Sequence, residues 1–115
     1  MWIFRRIRNQ IRYAKRSFER KVLSIKLGFN VEDTYSLDQS FAQWITPRLK
    51  YFRNNLHSYP CSLTKVEWQG VIDQMIEGFE IAANDDAYMG VSQEGFAKID
   101  VALDLFKKHF YDLWD

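Results

Sequence analysis

One short stretch of the chain gathers Arg48, Tyr51, Arg53, His57 and Tyr59. Guanidinium groups donate as a rigid fork to phosphate or carboxylate, and aromatic rings offer faces on which a base can stack. Together they are the chemistry of a ligand- or partner-binding site for something anionic. A plainer reading stands beside it. The same residues, with Lys50, Asn54 and Asn55, form the polar side of a helix that pairs with an acidic helix beyond the next turn, and most charged faces do nothing sharper. Arg48 has a structural alternative of its own, pairing with a carboxylate that caps or bridges helices.

A second basic group opens the chain. Residues 1–29 hold Arg5, Arg6, Arg8, Arg12, Lys15, Arg16, Arg20, Lys21 and Lys26 against Glu19 alone, a balance of +8, while residues 30–115 carry −7; the overall charge of +1 conceals this. Such asymmetry describes a basic arm on an acidic body. Arg5, Arg8, Arg12, Lys15 and Arg16 are its candidate contacts to an external anion.

Other chemistries find little support. His57, Cys61 and His109 lack the clustered spacing that metal ligands show. Glu77 and Glu80 share a helix face, but an exposed acidic face explains them more simply than a catalytic pair. No glycine-rich phosphate loop or nucleophile motif occurs. The expectation is a protein that is not an enzyme, with no catalytic residues, no metal and no cofactor.

The elements that must position these residues are helical. A chain of 115 residues has the size of one domain, and 47% apolar with 17% aromatic residues excludes a disordered one. The single cysteine rules out an internal disulfide. Ile3, Ile7, Ile11, Ala14, Phe18, Val22 and Ile25 recur at three- and four-residue steps, which predicts a helix over 2–27 ended by Gly28. That helix has three readings: docked on the body, engaged with an acidic partner or nucleic acid, or lying on a membrane surface with Trp2 and Phe4 at its tip. After a linker, Ser36 and Gln39 suggest a cap for a second helix with an apolar face of Leu37, Phe41, Trp44, Ile45, Leu49, Phe52 and Leu56. Pro47 interrupts it, and the unbroken phase of the face predicts a kinked continuous helix.

A short turn at residues 59–62 makes the next helix an antiparallel neighbour and brings the Arg48/Arg53 face near Glu77/Glu80. Thr64 and Glu67 form a capping box, with Leu63 and Trp68 spaced as a hydrophobic staple. This helix runs to about Ala83 and buries Trp68, Val71, Ile72, Met75, Ile76, Phe79 and Ala83. Gly70 and Gly78 either allow close helix approach or are tolerated. A loop follows over 84–91. The last helix spans about 92–114, with Phe96, Ile99, Leu103, Phe106, Phe110 and Leu113 inward. The fold expected is all-α: a small bundle of three long helices over 30–115, one kinked at proline, preceded by a basic amphipathic helix over 1–29.

Three segments, from Tyr35, Tyr59 and Glu94 onward, resemble a family of small bacteriophage proteins. The matching residues are Leu37-Asp38, Ile45, Pro47-Arg48-Leu49, Tyr59-Pro60, Glu67-Trp68 and Leu113-Trp114-Asp115. The resemblance covers roughly residues 35–115 and omits the basic arm; Ser58 stands where the family usually has glycine, and Val66 where it often has an acid. It implies a phage-encoded accessory protein and brings no activity with it.

No apolar run approaches the ~18 residues of a membrane span, and the N-terminus lacks the apolar segment of a signal peptide. Its Arg-rich, acid-poor start shares something with transit peptides but has few serines. The cytoplasm of the infected bacterium is the expected location. Two functions are expected from these observations: binding and inhibition of a host protein, such as an anti-phage defence component, or binding of an anion, either nucleic acid or a small nucleotide signal.

Overall fold

The computed structural model describes residues 2–84 and 90–115. Its helices are α1 (Trp2–Leu27), α2 (Leu37–Asn54), α3 (Lys65–Ala83) and α4 (Gln93–His109), with 3-10 turns at Val31–Thr34 and Phe110–Asp112. No strand occurs among the described residues. The loop expected over 84–91 falls largely on 85–89, outside the described residues. The chain divides into two compact units, Met1–Leu37 and Asp38–Asp115.

The first unit is α1 and the 3-10 turn after it. Gly28 ends the helix at φ +80, a left-handed conformation that glycine adopts without a Cβ clash, and its amide donates to the Ser24 carbonyl at 2.8 Å. The Ser24 hydroxyl lies 2.9 Å from the Asn30 side-chain oxygen, and Arg20 pairs with Glu32 at 3.3 Å. No residue of α1 is buried.

The second unit has a core shared by three helices. Leu49 of α2, Trp68, Ile72, Met75 and Phe79 of α3, and Ala102 of α4 are its buried members. Phe41, Phe79 and Phe106, one from each helix, meet edge to face with centroids 5.8–5.9 Å apart. This arrangement sets the positive edge of each ring against a negative face. The capping box forms as the sequence predicts: the Glu67 amide donates to Thr64 Oγ1 at 3.1 Å and the Thr64 amide to Glu67 Oε1 at 3.0 Å. These bonds hold the Glu67 carboxyl below its ordinary range. Leu63 and Trp68 both join the core, as a staple requires.

Gly78 accounts for the close fit of α3 and α4. A Cβ there would lie 2.4 Å from the Ala102 Cβ and 2.4 Å from the Lys98 carbonyl oxygen. Gly70 faces open space and is merely tolerated. This approach fixes the rotation of α4 and corrects the predicted inward face. Ala102, Phe106 and His109, at steps of four and three, turn toward α3, while Phe96, Leu103 and Phe110 are exposed. His109 is buried against Trp68, with ring centroids 5.3 Å apart, and its Nδ1 lies 3.1 Å from Asp112.

α2 also differs from expectation. It runs continuously through Pro47, whose missing amide leaves the Gln43 carbonyl without its helical partner. Leu37 and Trp44 are exposed, and Ala42 and Thr46 are buried in their stead. The buried Thr46 hydroxyl donates to the Ala42 carbonyl at 2.6 Å, so that hydroxyl is not left unpaired in the interior. The Gln39 side chain reaches the Asn84 carbonyl at the end of α3 (2.7 Å) and Gln43 reaches that of Ala83 (3.1 Å), which sets α2 antiparallel to α3. The helix stops at Asn54, so the connection to α3 covers 55–64 and is longer than the predicted turn. α4 stops at His109, short of its predicted end, and a 3-10 turn follows.

Candidate functional site

The connection between α2 and α3 is pinned by the last residue. The Asp115 carboxylate accepts from the backbone amides of His57 and Ser58, each at 2.9 Å on Oδ1, and from the Ser58 hydroxyl at 3.0 Å. His57 Nδ1 lies 2.8 Å from its other oxygen. Consecutive amides presented to one oxygen make a small anion nest. The His57 side chain, then the His57 and Ser58 amides and the Ser58 hydroxyl, hold Asp115 down to a pKa of about 2 against the opposing effect of desolvation. Its side chain keeps 17% of its exposure.

Ser58, His57 and Asp115 have the composition of a hydrolytic triad but not its order. The serine hydroxyl and the imidazole both bond the carboxylate, whereas catalysis needs the hydroxyl bonded to the imidazole and the imidazole to the carboxylate. The group is a clasp.

Two hollows adjoin the clasp. One, of about 620 Å³, is lined by Pro47, Arg48, Tyr51, Phe52, Asn55, His57 and Asp115. The other, of about 320 Å³, is lined by Ser58, Tyr59, Pro60, Cys61, Asp112 and Trp114. The structure thus brings Arg48, Tyr51 and His57 together and sets Tyr59 in the neighbouring hollow. Arg53 is engaged elsewhere: its Nε and a terminal nitrogen donate to the two oxygens of Asp73 at 3.0 and 3.3 Å.

The charged faces of α2 and α3 meet, as the sequence suggests, through particular pairs that the sequence does not name. Lys50 pairs with Glu80 and Arg53 with Asp73, while Glu77 pairs across to Lys98 of α4 at 2.8 Å. Glu77 and, less strongly, Glu94 raise the Lys98 pKa. Arg48 bridges no helices. It donates to its own helix at the Trp44 carbonyl (2.7 Å) and its guanidinium lies over the Trp44 ring, 4.2 Å from the centroid. That stacking explains why Trp44 is not in the core: its face carries a cation. Arg48 also lines the first hollow.

The basic-arm residues Arg5, Arg8, Arg12, Lys15 and Arg16 are all exposed along α1 in the other unit. Cys61 is an exposed free thiol in the connection. Among the described residues, no three His, Cys, Asp or Glu side chains converge as a metal would require.

Sequence reasoning missed Asp115. Its partners lie 57 and 58 positions away, beyond the reach of any periodicity. The motif Leu113-Trp114-Asp115 was the available signal, and its meaning is now geometric. No protein-family model, no curated protein and no solved structure matches this chain.

Proposed function

We propose that the chain is a phage accessory protein without catalytic activity, which binds and inhibits a host protein, such as a defence component, in the bacterial cytoplasm. In this reading residues 30–115 form a three-helix bundle bent at Pro47 that presents the clasp and its two hollows. One observation carries the choice of a protein partner over an anion. Asp115 already occupies the amides, hydroxyl and imidazole on which a phosphate would settle, and Asp73 neutralises Arg53. What remains accessible is Arg48, Tyr51, Tyr59 and Trp114 around two shallow hollows. Tyrosine, tryptophan and arginine are the residue types that dominate binding energy at protein interfaces. A carboxylate in the wall beside Arg48 suits a peptide surface of mixed charge and repels a nucleotide phosphate. The resemblance at Pro47-Arg48-Leu49, Tyr59-Pro60 and Leu113-Trp114-Asp115 supports the phage origin, and those motifs line or adjoin the same hollows.

The test is affinity capture from a nuclease-treated bacterial lysate with the tagged full chain and with a Tyr51→Ala, Tyr59→Ala variant. The reading expects one host protein held in equal amount by the parent chain, its activity inhibited, and its retention reduced about 30-fold in the variant at unchanged melting temperature. Recovery of nucleic acid or a released nucleotide in place of a protein contradicts it.

A further inference from the structure

α1 is a long helix with two unlike faces and no buried residue. Ile3, Ile7, Ile11, Ala14, Phe18, Val22 and Ile25 lie within about 100° of its circumference. Ile7, Ile11, Phe18 and Ile25 remain 47%, 63%, 67% and 82% exposed. Arg8, Lys15 and Lys26 border this stripe on one side and Arg6 and Lys21 on the other, with the remaining arginines on the far face. We propose that α1 binds the surface of an anionic lipid bilayer, lying in its plane with the isoleucine stripe at the boundary of headgroups and acyl chains.

Three observations select this occupant. First, a bilayer surface satisfies both faces together along the whole helix, which at 26 residues is about 39 Å long. The stripe enters the apolar boundary while the bordering basic side chains bend their stems outward and keep their charges at the lipid phosphates. A nucleic-acid backbone would take up the positive charge and leave the isoleucines in water. Secondly, the charge is lopsided: α1 carries nine basic residues against Glu19, and among the described residues the acidic partner seen on α1 is Glu32, at Arg20. Thirdly, Phe4 sits exposed at the edge of the stripe, a residue type found on the apolar face of helices that lie on membrane surfaces. The helix lies on the bilayer and does not cross it, for no described helix is long and apolar enough to do so. This inference concerns the first unit and does not rest on the protein-partner reading of the second.

The experiment is cosedimentation of the full chain with phosphatidylcholine vesicles containing about one third phosphatidylglycerol, and with pure phosphatidylcholine vesicles. Binding is expected to the anionic vesicles, at least about ten-fold weaker to the neutral ones, and to fall steeply between about 0.1 and 0.5 M salt. An Ile7→Asn, Ile11→Asn variant keeps every charge and is expected to lose about ten-fold or more of the vesicle binding. An Arg12→Gln, Arg16→Gln variant keeps the stripe and weakens binding to anionic vesicles only. Thermal melting confirms that each variant folds. Absence of binding by the parent chain overturns the proposal, as does equal binding to neutral vesicles or an isoleucine variant that binds as well as the parent. Tighter binding to duplex DNA than to vesicles at equal salt, insensitive to the isoleucine changes, would assign α1 to nucleic acid and overturn it too.

Discussion

α1 and α3 are both long helices with regular apolar periodicity, yet α3 buries Trp68, Ile72, Met75, Gly78, Phe79 and Ala82 while α1 buries nothing. The difference lies in what surrounds the periodic residues. In α3 the apolar set is broad, anchored by large aromatic rings, and interrupted at Gly78 so that a neighbour can come close. In α1 the set is a narrow ladder, mostly of isoleucine and valine, hemmed by basic residues. Packing of an amphipathic face supplies most of a helix's stability in a protein. A stripe that stays exposed supplies none of it. Periodicity therefore shows that a helix forms, and the residues flanking the stripe show where it goes.

The largest way to test this contrast is in the core. Trp68→Ala should destabilise the chain by about 3–5 kcal/mol in urea unfolding, since Trp68 of α3 is buried against His109 of α4. Next comes the helix contact. Gly78→Ala should cost about 1–3 kcal/mol, because Ala102 and the Lys98 backbone must move aside. Gly70→Ala, facing open space in the same helix, should instead gain up to about 1 kcal/mol. Equal effects at the two glycines would remove the close-packing account.

The clasp offers a smaller effect with a pH signature. The folded pKa of Asp115, about 2, lies below its ordinary 3.8, so the clasp stabilises the fold fully above the ordinary value and loses that contribution as pH falls toward 2. Asp115→Asn should lower the melting temperature at about pH 5, and its gap from the parent should close as the pH approaches about 2. A gap that persists unchanged at low pH would show that the charge is not what holds the clasp. The smallest effect belongs to α1: Ile7→Asn should alter the unfolding free energy of the chain by no more than about 0.5 kcal/mol.

The sequence disclosed the local features and misjudged those set by distant contacts. The α3 capping box, the staple and the Gly28 terminus were legible because each depends on residues a few positions apart. The face of α4 was not. Phe96, Leu103 and Phe110 repeat every seven residues and are large, which mimics a buried seam, but the rotation is set by Gly78 against Ala102, two residues without bulk to signal it. The sequence set the basic face of α2 beside the acidic face of α3 without pairing residues; the pairs depend on the register, which Gln39 and Gln43 mark by reaching the end of α3. Of the candidate group Arg48–Tyr59, Arg48, Tyr51 and His57 line one hollow, Tyr59 lines the next, and Arg53 is engaged by Asp73. The carboxylate that changes its meaning lies 57 and 58 positions away from the residues it binds.

Hydrogen exchange on the full chain, read segment by segment with and without anionic vesicles, addresses the division of labour directly. Amides of α3 should exchange only through global unfolding, while those of α1, with no buried side chain to hold them, should exchange orders of magnitude faster and become protected when vesicles are added. Protection of α1 equal to that of α3 without vesicles would contradict the claim that one unit is held by its core and the other waits for a surface.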